Sequence, residues 1–439
     1  MKISLTNVRG FEGAHEFTIR PITILIGENS SGKTTLLAAI SAALNSDFPT
    51  TENLFNRAPF ELGSFDTIAT YRGGKYGRAT SFSVGWKSDD PKSPRSIEAT
   101  FKNHNGAPRL DSVVIKRGQN ELRGRAVSDE FEFEFELILG APRKGKLKSL
   151  TTSEAKVVKF KTSSKNTKTF RLQDVFRYYL EGLDRKAISS KDSEYAEIFE
   201  ELHHMTLGYA LARPHATALA PLRTRPRRTY DELNEEFKPE GDHIPLVIAR
   251  LLAAKQRDTT GKELDALMRF GAASGLFEKI DVKRMGRQPS DPFQVRVKMK
   301  GPDANLIDVG YGVSQSLPIV IDSIVAPNNE ILLVQQPEVH LHPKAQAALG
   351  SFFAELVSTT SKQFIIETHS DYLIDRVRIA VADGTISAKK VQLLYLDREG
   401  LDIKVYALDL DDLGNITNAP PNYRSFFLHE EINLMSRGV

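Results

Sequence analysis

No cysteine occurs among the 439 residues, which excludes disulfides, thiolate metal sites and cysteine nucleophiles and fits a reducing compartment. No apolar run reaches the roughly 18 residues a membrane helix needs, so no span is expected. The opening MKISLTNVRGFEG has no uninterrupted apolar segment of the secretory kind. A cytoplasmic protein without membrane contact is therefore expected. An excess of one charge is also missing: 59 Lys+Arg against 56 Asp+Glu leave a net charge of +3, so bulk charge makes no case for nucleic-acid binding. Heptads, internal repeats and low-complexity linkers are absent, which disfavours a long coiled-coil arm. What is present, 40% hydrophobic and 26% charged residues over this length, suits one large domain or a two-lobed one.

Basic residues do gather locally. Arg143, Lys144, Lys146, Lys148, Lys156, Lys159, Lys161, Lys165 and Lys168 follow one another with only Glu154 against them. Such a density attracts phosphate backbones in a salt-dependent way, although a solvated hairpin is the plainer reading. A second cluster, RPHATALAPLRTRPRR, holds Arg213, Arg223, Arg225, Arg227 and Arg228 and reads as a surface loop. Neither cluster interleaves aromatic residues.

The hydrophobic pattern divides the chain. KISLTNV, HEFTI and ITILIG read as short strands, and KTTLLAAISAAL as a helix. Alternation from about 65 to 172, clearest in FEFEFELIL and AKVVKFKTSSKNTKTFRL with SSKN as a turn, predicts a β-rich insertion. Helical spacing dominates 173–210, in DVFRYYLEGL and SEYAEIFEELHHMTL. Helices near IPLVIARLLAA and LDALMRFGAASGLF and a strand FQVRVKM follow. EILLVQQPE, KQFIIETHS and KVQLLYLD then read as apolar strands separated by helices, the pattern of a parallel sheet in an α/β fold. The expected divisions are 1–64, 65–172, 173–300 and 301–439.

GENSSGKTT fits the phosphate-loop pattern between a strand and a helix, with Gly27, Gly32, Lys33 and Thr34 at the defining positions. Glycines allow the tight loop, successive N–H groups and the helix N-terminus cradle phosphates, Lys33 adds a point charge and the Thr34 hydroxyl ligates magnesium. The expected nucleotide contacts are Gly27, Asn29, Ser30, Gly32, Lys33, Thr34 and Thr35. LLVQQPE reads as the strand beside this loop. There Gln335 takes the place of a carboxylate that orients magnesium through water, and Gln336 that of one polarising the attacking water. An amide oxygen still accepts a hydrogen bond but takes no proton, and loss of a general base costs about 10²–10⁴-fold in rate. Glu338 is a possible substitute, although a cap or contact after the strand is its plainer role. His369, in FIIETHSDYLI, stands where it can donate to a γ-phosphate; a core histidine is the alternative. In VGYGVSQSLPIV, Ser314 can cap a helix and bind a terminal phosphate from a second subunit, a weak signal alone. His340 and His342 make too few ligands for a metal site, and Asp409, Asp411 and Asp412 read as an exposed acidic turn.

Taken in order, GENSSGKTT, the Gly-x-Gly-x-Ser-Gln element, LLVQQPEVHLHP and IIETHSDYL resemble the ABC-type ATPases of the OLD, RecF and SMC group. KISLTNVRGFEG and PFELGSFDTI resemble that group as well. LAPLRTRPRRTY and LGNITNAPPNYRSFFLHEEINL are similar to its compact OLD-like branch beside bacterial defence genes. The resemblance implies an ABC-type P-loop ATPase head with a mixed sheet, a β-rich insertion and a helical subdomain. ATP and Mg2+ would be the cofactors, with Lys33 on phosphate, Thr34 and Gln335 at magnesium, and His369 as the switch histidine. It also implies a head-to-tail homodimer or higher oligomer around two ATPs, with Ser314 completing the partner's site. No counterpart of the group's nuclease domain is expected in these residues, so cutting would fall to a separate partner; the sequence reads Gln-Gln where compact relatives commonly have Glu-Glu or Glu-Gln. A natural loss and an engineered change both remain open for Gln335.

Three functions follow as expectations. One is an ATP-held subunit of anti-phage defence that controls a separate effector such as a nuclease or toxin. Another is a RecF-like DNA-repair ATPase binding DNA through Arg143–Lys168. The last is a scaffold that holds ATP without hydrolysing it.

Overall fold

The computed structural model describes residues 1–49, 53–90, 94–127, 132–139, 156–163, 198, 200–206, 214–231, 236–255, 261–288, 291–423 and 432. The first elements are β1 (Lys2–Val8), β2 (Phe11–Thr18), β3 (Ile22–Ile26), α1 (Lys33–Ala43) and the one-turn α2 (Phe65–Ile68). Strands β4 (Ser81–Lys87), β5 (Arg95–His104), β6 (Ala107–Arg117), β7 (Asn120–Ala126), β8 (Glu132–Leu139) and β9 (Lys156–Ser163) come next. After β10 (Ala216–Leu219) stand α3 (Ile244–Lys255) and α4 (Gly261–Ser274), then β11 (Lys279–Arg284), β12 (Phe293–Lys298) and β13 (Ala304–Asn305). The last group is α5 (Tyr311–Val325), β14 (Ile331–Gln335), α6 (Pro343–Thr359), β15 (Gln363–Glu367), α7 (Asp371–Ala382), β16 (Val391–Glu399) and β17 (Asp402–Leu408).

Two compact units emerge: Met1–Ile19 with Thr34–Ala216 and Gly400–Asp402, and Arg20–Lys33 with Thr217–Glu399 and Ile403–Val439. In the first, one eight-stranded sheet runs β2-β1-β4-β5-β6-β7-β8-β9 with antiparallel neighbours. The N-terminal hairpin and the strands from 81 to 163 are thus one sheet, joined where Leu5 faces Val84. Period-two alternation buries Phe82, Val84 and Trp86 on β4 and Ile97, Ala99 and Phe101 on β5. Phe55, Phe65, Phe82 and Phe101 cluster there, with contacting ring centroids 5.0–5.6 Å apart, Phe82 stacked on Phe101 and Phe55 edge-on to both.

Folding changes the charge balance of the first basic cluster. The β8–β9 register sets Glu136 opposite Lys159 and Glu134 opposite Lys161, and Lys159 Nζ lies 3.5 Å from Glu136 Oε1. Acidic residues far away along the chain therefore face part of the basic run across the sheet. The SSKN turn after Ser163, the helix expected at DVFRYYLEGL and the rest of the basic run lie outside the described residues; residues 200–206 are helical, as the spacing predicts.

The second unit has a six-stranded sheet, β10-β14-β15-β3-β16-β17, and a three-stranded sheet, β11-β12-β13. The four strands β14, β15, β3 and β16 run parallel, and their near-continuous apolar sequences are those of strands covered on both faces. Residues Ile22, Ile24, Val334, Phe364, Ile366 and Leu393 share a core with Phe352, Phe353 and Leu349 of α6 and Leu317 and Val320 of α5. β11, KIDVKR, went unread in the sequence because only Ile280 of it is buried. Among the described residues no helix is long and apolar enough to cross a membrane.

Candidate functional site

The site forms at the C-terminal ends of three adjacent parallel strands. β3 ends at Ile26 and the chain enters the glycine loop, with Gly27 at φ 149°, Ser30 at φ 62° and Gly32 at φ 97°. A Cβ on Gly27 would stand 2.2 Å from the Leu396 carbonyl oxygen, so only glycine fits there. Arg398 ties the loop from the other side, donating to the Ser30 carbonyl at 3.0 Å. α1 then begins without an acidic residue in its first turn, leaving the positive end of its dipole unopposed by its own side chains. Glu28, Asn29, Ser30 and Thr34 are exposed, whereas Thr35 is buried, its hydroxyl accepting a hydrogen bond from Arg9 Nη1 at 3.2 Å.

Lys33 is 3% exposed. Its ammonium donates to the Gly27 and Glu28 carbonyls at 2.8 and 2.7 Å. Burial lowers its pKa from the ordinary lysine value, opposed by the charges of Glu367, Glu338 and Glu28 in that order. The result is a positive group held within the glycine loop at the start of α1, and a cation at a helix N-terminus attracts anions.

The strand order corrects one expectation. Strand β14 was expected beside the phosphate strand, but β15 lies between them, because the chain after β14 crosses over through α6 and inserts β15 next to β3. Gln335 and Glu367 are consequently register partners, and Glu367 in turn faces Leu25 of β3. Gln335 and Glu367 are each 4% exposed, and the Gln335 Oε1 atom has no hydrogen-bond partner among the described residues. Gln336 adopts a left-handed φ of 40°, which costs about 1–3 kcal/mol, while its N–H donates to the Glu367 carbonyl at 2.8 Å.

Glu338 takes the contact role rather than that of a free base. Its two carboxylate oxygens accept hydrogen bonds from the Thr368 hydroxyl at 2.8 Å and the His369 N–H at 2.7 Å. His369 thus starts its segment fixed to the end of the glutamine strand. Its ring is exposed; its pKa is lowered, first by desolvation and then by Lys33, against the charge of Glu338. A neutral imidazole at neutral pH still carries one N–H donor. Ser370 caps α7, accepting from Leu373 N at 3.1 Å.

Two residues acquire roles that sequence patterns did not reveal. Arg223, read as part of a surface loop, is 7% exposed and donates through Nη2 to the Gln335 carbonyl at 2.9 Å and the Gln336 carbonyl at 3.4 Å. Burial pushes its pKa down to about 10. Its neighbour in the cluster, Arg228, pairs with Asp308 at 2.7 Å; Arg213 lies outside the described residues. Glu367, the second, is set beside Gln335 by strand order, which FIIETHS alone does not encode. His342 caps α6 through Nδ1 and the Lys344 N–H, and among the described residues no group of three or more His, Asp or Glu side chains is arranged to hold an ion.

Ser314 sits near the start of α5, where the cap residue Gly310 offers no side chain. Its hydroxyl donates to the Tyr311 carbonyl at 3.0 Å, and it lines a pocket with Arg225, Arg227, Tyr230 and Asp242.

These residues suit a magnesium nucleotide. The loop backbone and Lys33 would form the phosphate cradle, Thr34 is exposed at the first turn of α1, and the buried Gln335 oxygen has no partner among the described residues. A family model described as "AAA ATPase domain" matches residues 1–374, and the chain belongs to that family, whose members are nucleotide-binding ATPases. A search of curated proteins finds no match. Solved structures similar to it include an SMC head bound to the C-winged helix domain of ScpA, at 12% identity and a TM-score of 0.47, covering 93% of this chain and 97% of that one. The SMC head domain from Thermotoga maritima gives 10% identity and a TM-score of 0.41, covering 93% of this chain and 98% of that one. An Smc head with an extended coiled coil, bound to the C-terminal domain of ScpA derived from Pyrococcus furiosus, gives 11% and 0.40, covering 98% of both chains.

Proposed function

We propose that the chain is an ABC-type ATPase subunit that binds ATP with magnesium, pairs head-to-tail with a second copy around it, and controls a separate effector in bacterial anti-phage defence. The observation that supports the reading is the placement of the glycine loop with its buried Lys33 after β3, in one parallel sheet with the ends of β14 and β15. Gly27, Asn29, Ser30, Gly32, Lys33, Thr34 and Thr35 form the nucleotide contacts in this reading. The Thr34 hydroxyl and the Gln335 amide oxygen would hold the metal, which would supply positive charge against the phosphates. His369 donates to the terminal phosphate.

Neither Gln335 nor Gln336 accepts a proton, so turnover is expected to be slower than that of a site with a carboxylate base by about 10²–10⁴-fold. A slow site favours a persistent ATP-held state, which suits a subunit that retains an effector until triggered. Support for the defence role comes from the motif order and from LAPLRTRPRRTY and LGNITNAPPNYRSFFLHEEINL. The DNA-repair alternative is weakened, because Glu134 and Glu136 face the basic strand β9.

Ser314 at an uncapped helix start supplies the second copy's contribution. Sedimentation of the full chain with and without ATP and magnesium tests this: the expected result is a nucleotide-dependent doubling of mass, weakened by Ser314→Arg. A mass unchanged by nucleotide overturns the dimeric part of the proposal.

A further inference from the structure

We propose that Glu367, one strand away from the two glutamines, supplies the carboxylate that a magnesium nucleotide requires at this site. The inference rests on the nucleotide-binding reading above and deepens it by assigning the site's acidic group to a residue outside the expected strand end.

The geometry is specific. Gln335 and Glu367 are register partners on parallel neighbours, so their side chains leave the same face of the sheet about 4.8 Å apart. Both are almost fully buried, and the Gln336 N–H bonded to the Glu367 carbonyl locks the two strand ends together. Glu367 also faces Leu25, two residues before Gly27. The other acidic residues at the loop are placed differently: Glu28 is exposed, and both Glu338 oxygens are occupied by Thr368 and His369.

A buried carboxylate is costly without a compensating charge. Among the carboxylates favouring the Lys33 ammonium, Glu367 contributes most. The unpartnered Gln335 oxygen beside it supplies the second, neutral acceptor. This arrangement also explains why residue 335 is an amide. A glutamate there would set two like charges in adjacent register, which disfavours ionisation of both. The acidic charge of the site has in effect moved from β14 to β15, and Gln335 is its accommodating neighbour.

A purely structural role, in which Glu367 only balances Lys33, makes a different prediction from a magnesium-facing one. The test is the affinity of a fluorescent ATP analogue measured with magnesium and with EDTA, on the full chain and on Glu367→Gln, Gln335→Glu and the exchanged pair Gln335→Glu/Glu367→Gln. The unaltered chain is expected to bind at least about tenfold more tightly with magnesium, the scale of one interaction with a charged group. Glu367→Gln should lose that gain while binding the nucleotide without magnesium at least as tightly as the unaltered chain, because a negative charge beside Lys33 is removed; retained binding shows that the loop is intact. Gln335→Glu alone should gain nothing, and the exchanged pair should recover most of the magnesium effect.

A Glu367→Gln chain that keeps the full magnesium gain overturns the proposal. So does an exchanged pair that fails to recover it, and this second result decides the matter if Glu367→Gln alone does not fold. If the unaltered chain binds no nucleotide in either condition, the nucleotide-binding reading itself falls. Nucleotide binding that is intact but indifferent to Glu367 removes this inference alone.

Discussion

Gly27→Ala should nearly abolish nucleotide binding and lower the stability of the fold by about 3 kcal/mol or more. The left-handed backbone at φ 149° costs a non-glycine residue about 1–3 kcal/mol. The new methyl would also stand 2.2 Å from the Leu396 carbonyl oxygen and 2.7 Å from Ser31 Oγ. Ser31 can rotate, but Leu396 lies within β16, hydrogen-bonded to β3, so the loop itself must move. Displacing it withdraws the Gly27 and Glu28 carbonyls from Lys33 and disturbs the loop N–H groups proposed to bind phosphate. Chemical denaturation and titration with a fluorescent ATP analogue check both parts. A variant with unchanged midpoint and affinity would mean that the loop does not constrain the site.

The second large effect concerns Glu338, which straps the end of β14 to the start of the His369 segment. Glu338→Ala removes two hydrogen bonds to a carboxylate, each worth about 1.5–3 kcal/mol when fully buried. Glu338 is only half-buried, and a net loss of about 2 kcal/mol is expected after solvent screening. Glu338→Gln keeps an acceptor and should lose less. In both variants the His369 pKa should fall further, because Glu338 is the charge that raises it against desolvation and Lys33. The neutral ring then persists to lower pH, a shift that nuclear magnetic resonance of the imidazole detects. Equal stability of all three chains would show that the strap is dispensable.

Much of this site is legible in a single sequence because its signals are contiguous. The glycine loop, the strand before it and the helix after it occupy Ile22–Ala43, and local sterics determine each part. ILLVQ, QFIIE and VQLLYLD announce themselves as buried strands by apolar character alone, and β14, β15 and β16 lie where the sequence places them. Pairwise order is another matter. A crossover of α6 decides that β15, not β14, neighbours β3, and no residue within either strand encodes that choice locally. The placement of Glu367 between Gln335 and Leu25 is therefore not legible in FIIETHS alone. Arg223 was hidden for a related reason: in an arginine-rich segment, only long-range packing tells which guanidinium turns inward to the Gln335 carbonyl. The charge of β9 likewise changes meaning once β8 sets glutamates opposite it.

The most direct test of the central claim, that this chain holds ATP through its glycine loop and Lys33, is equilibrium titration of the intact protein and Lys33→Ala with a fluorescent ATP analogue and magnesium. Saturable binding by the unaltered chain, weakened about 10–100-fold by Lys33→Ala, is the predicted result. Absence of binding, or equal affinity in the two proteins, would contradict it.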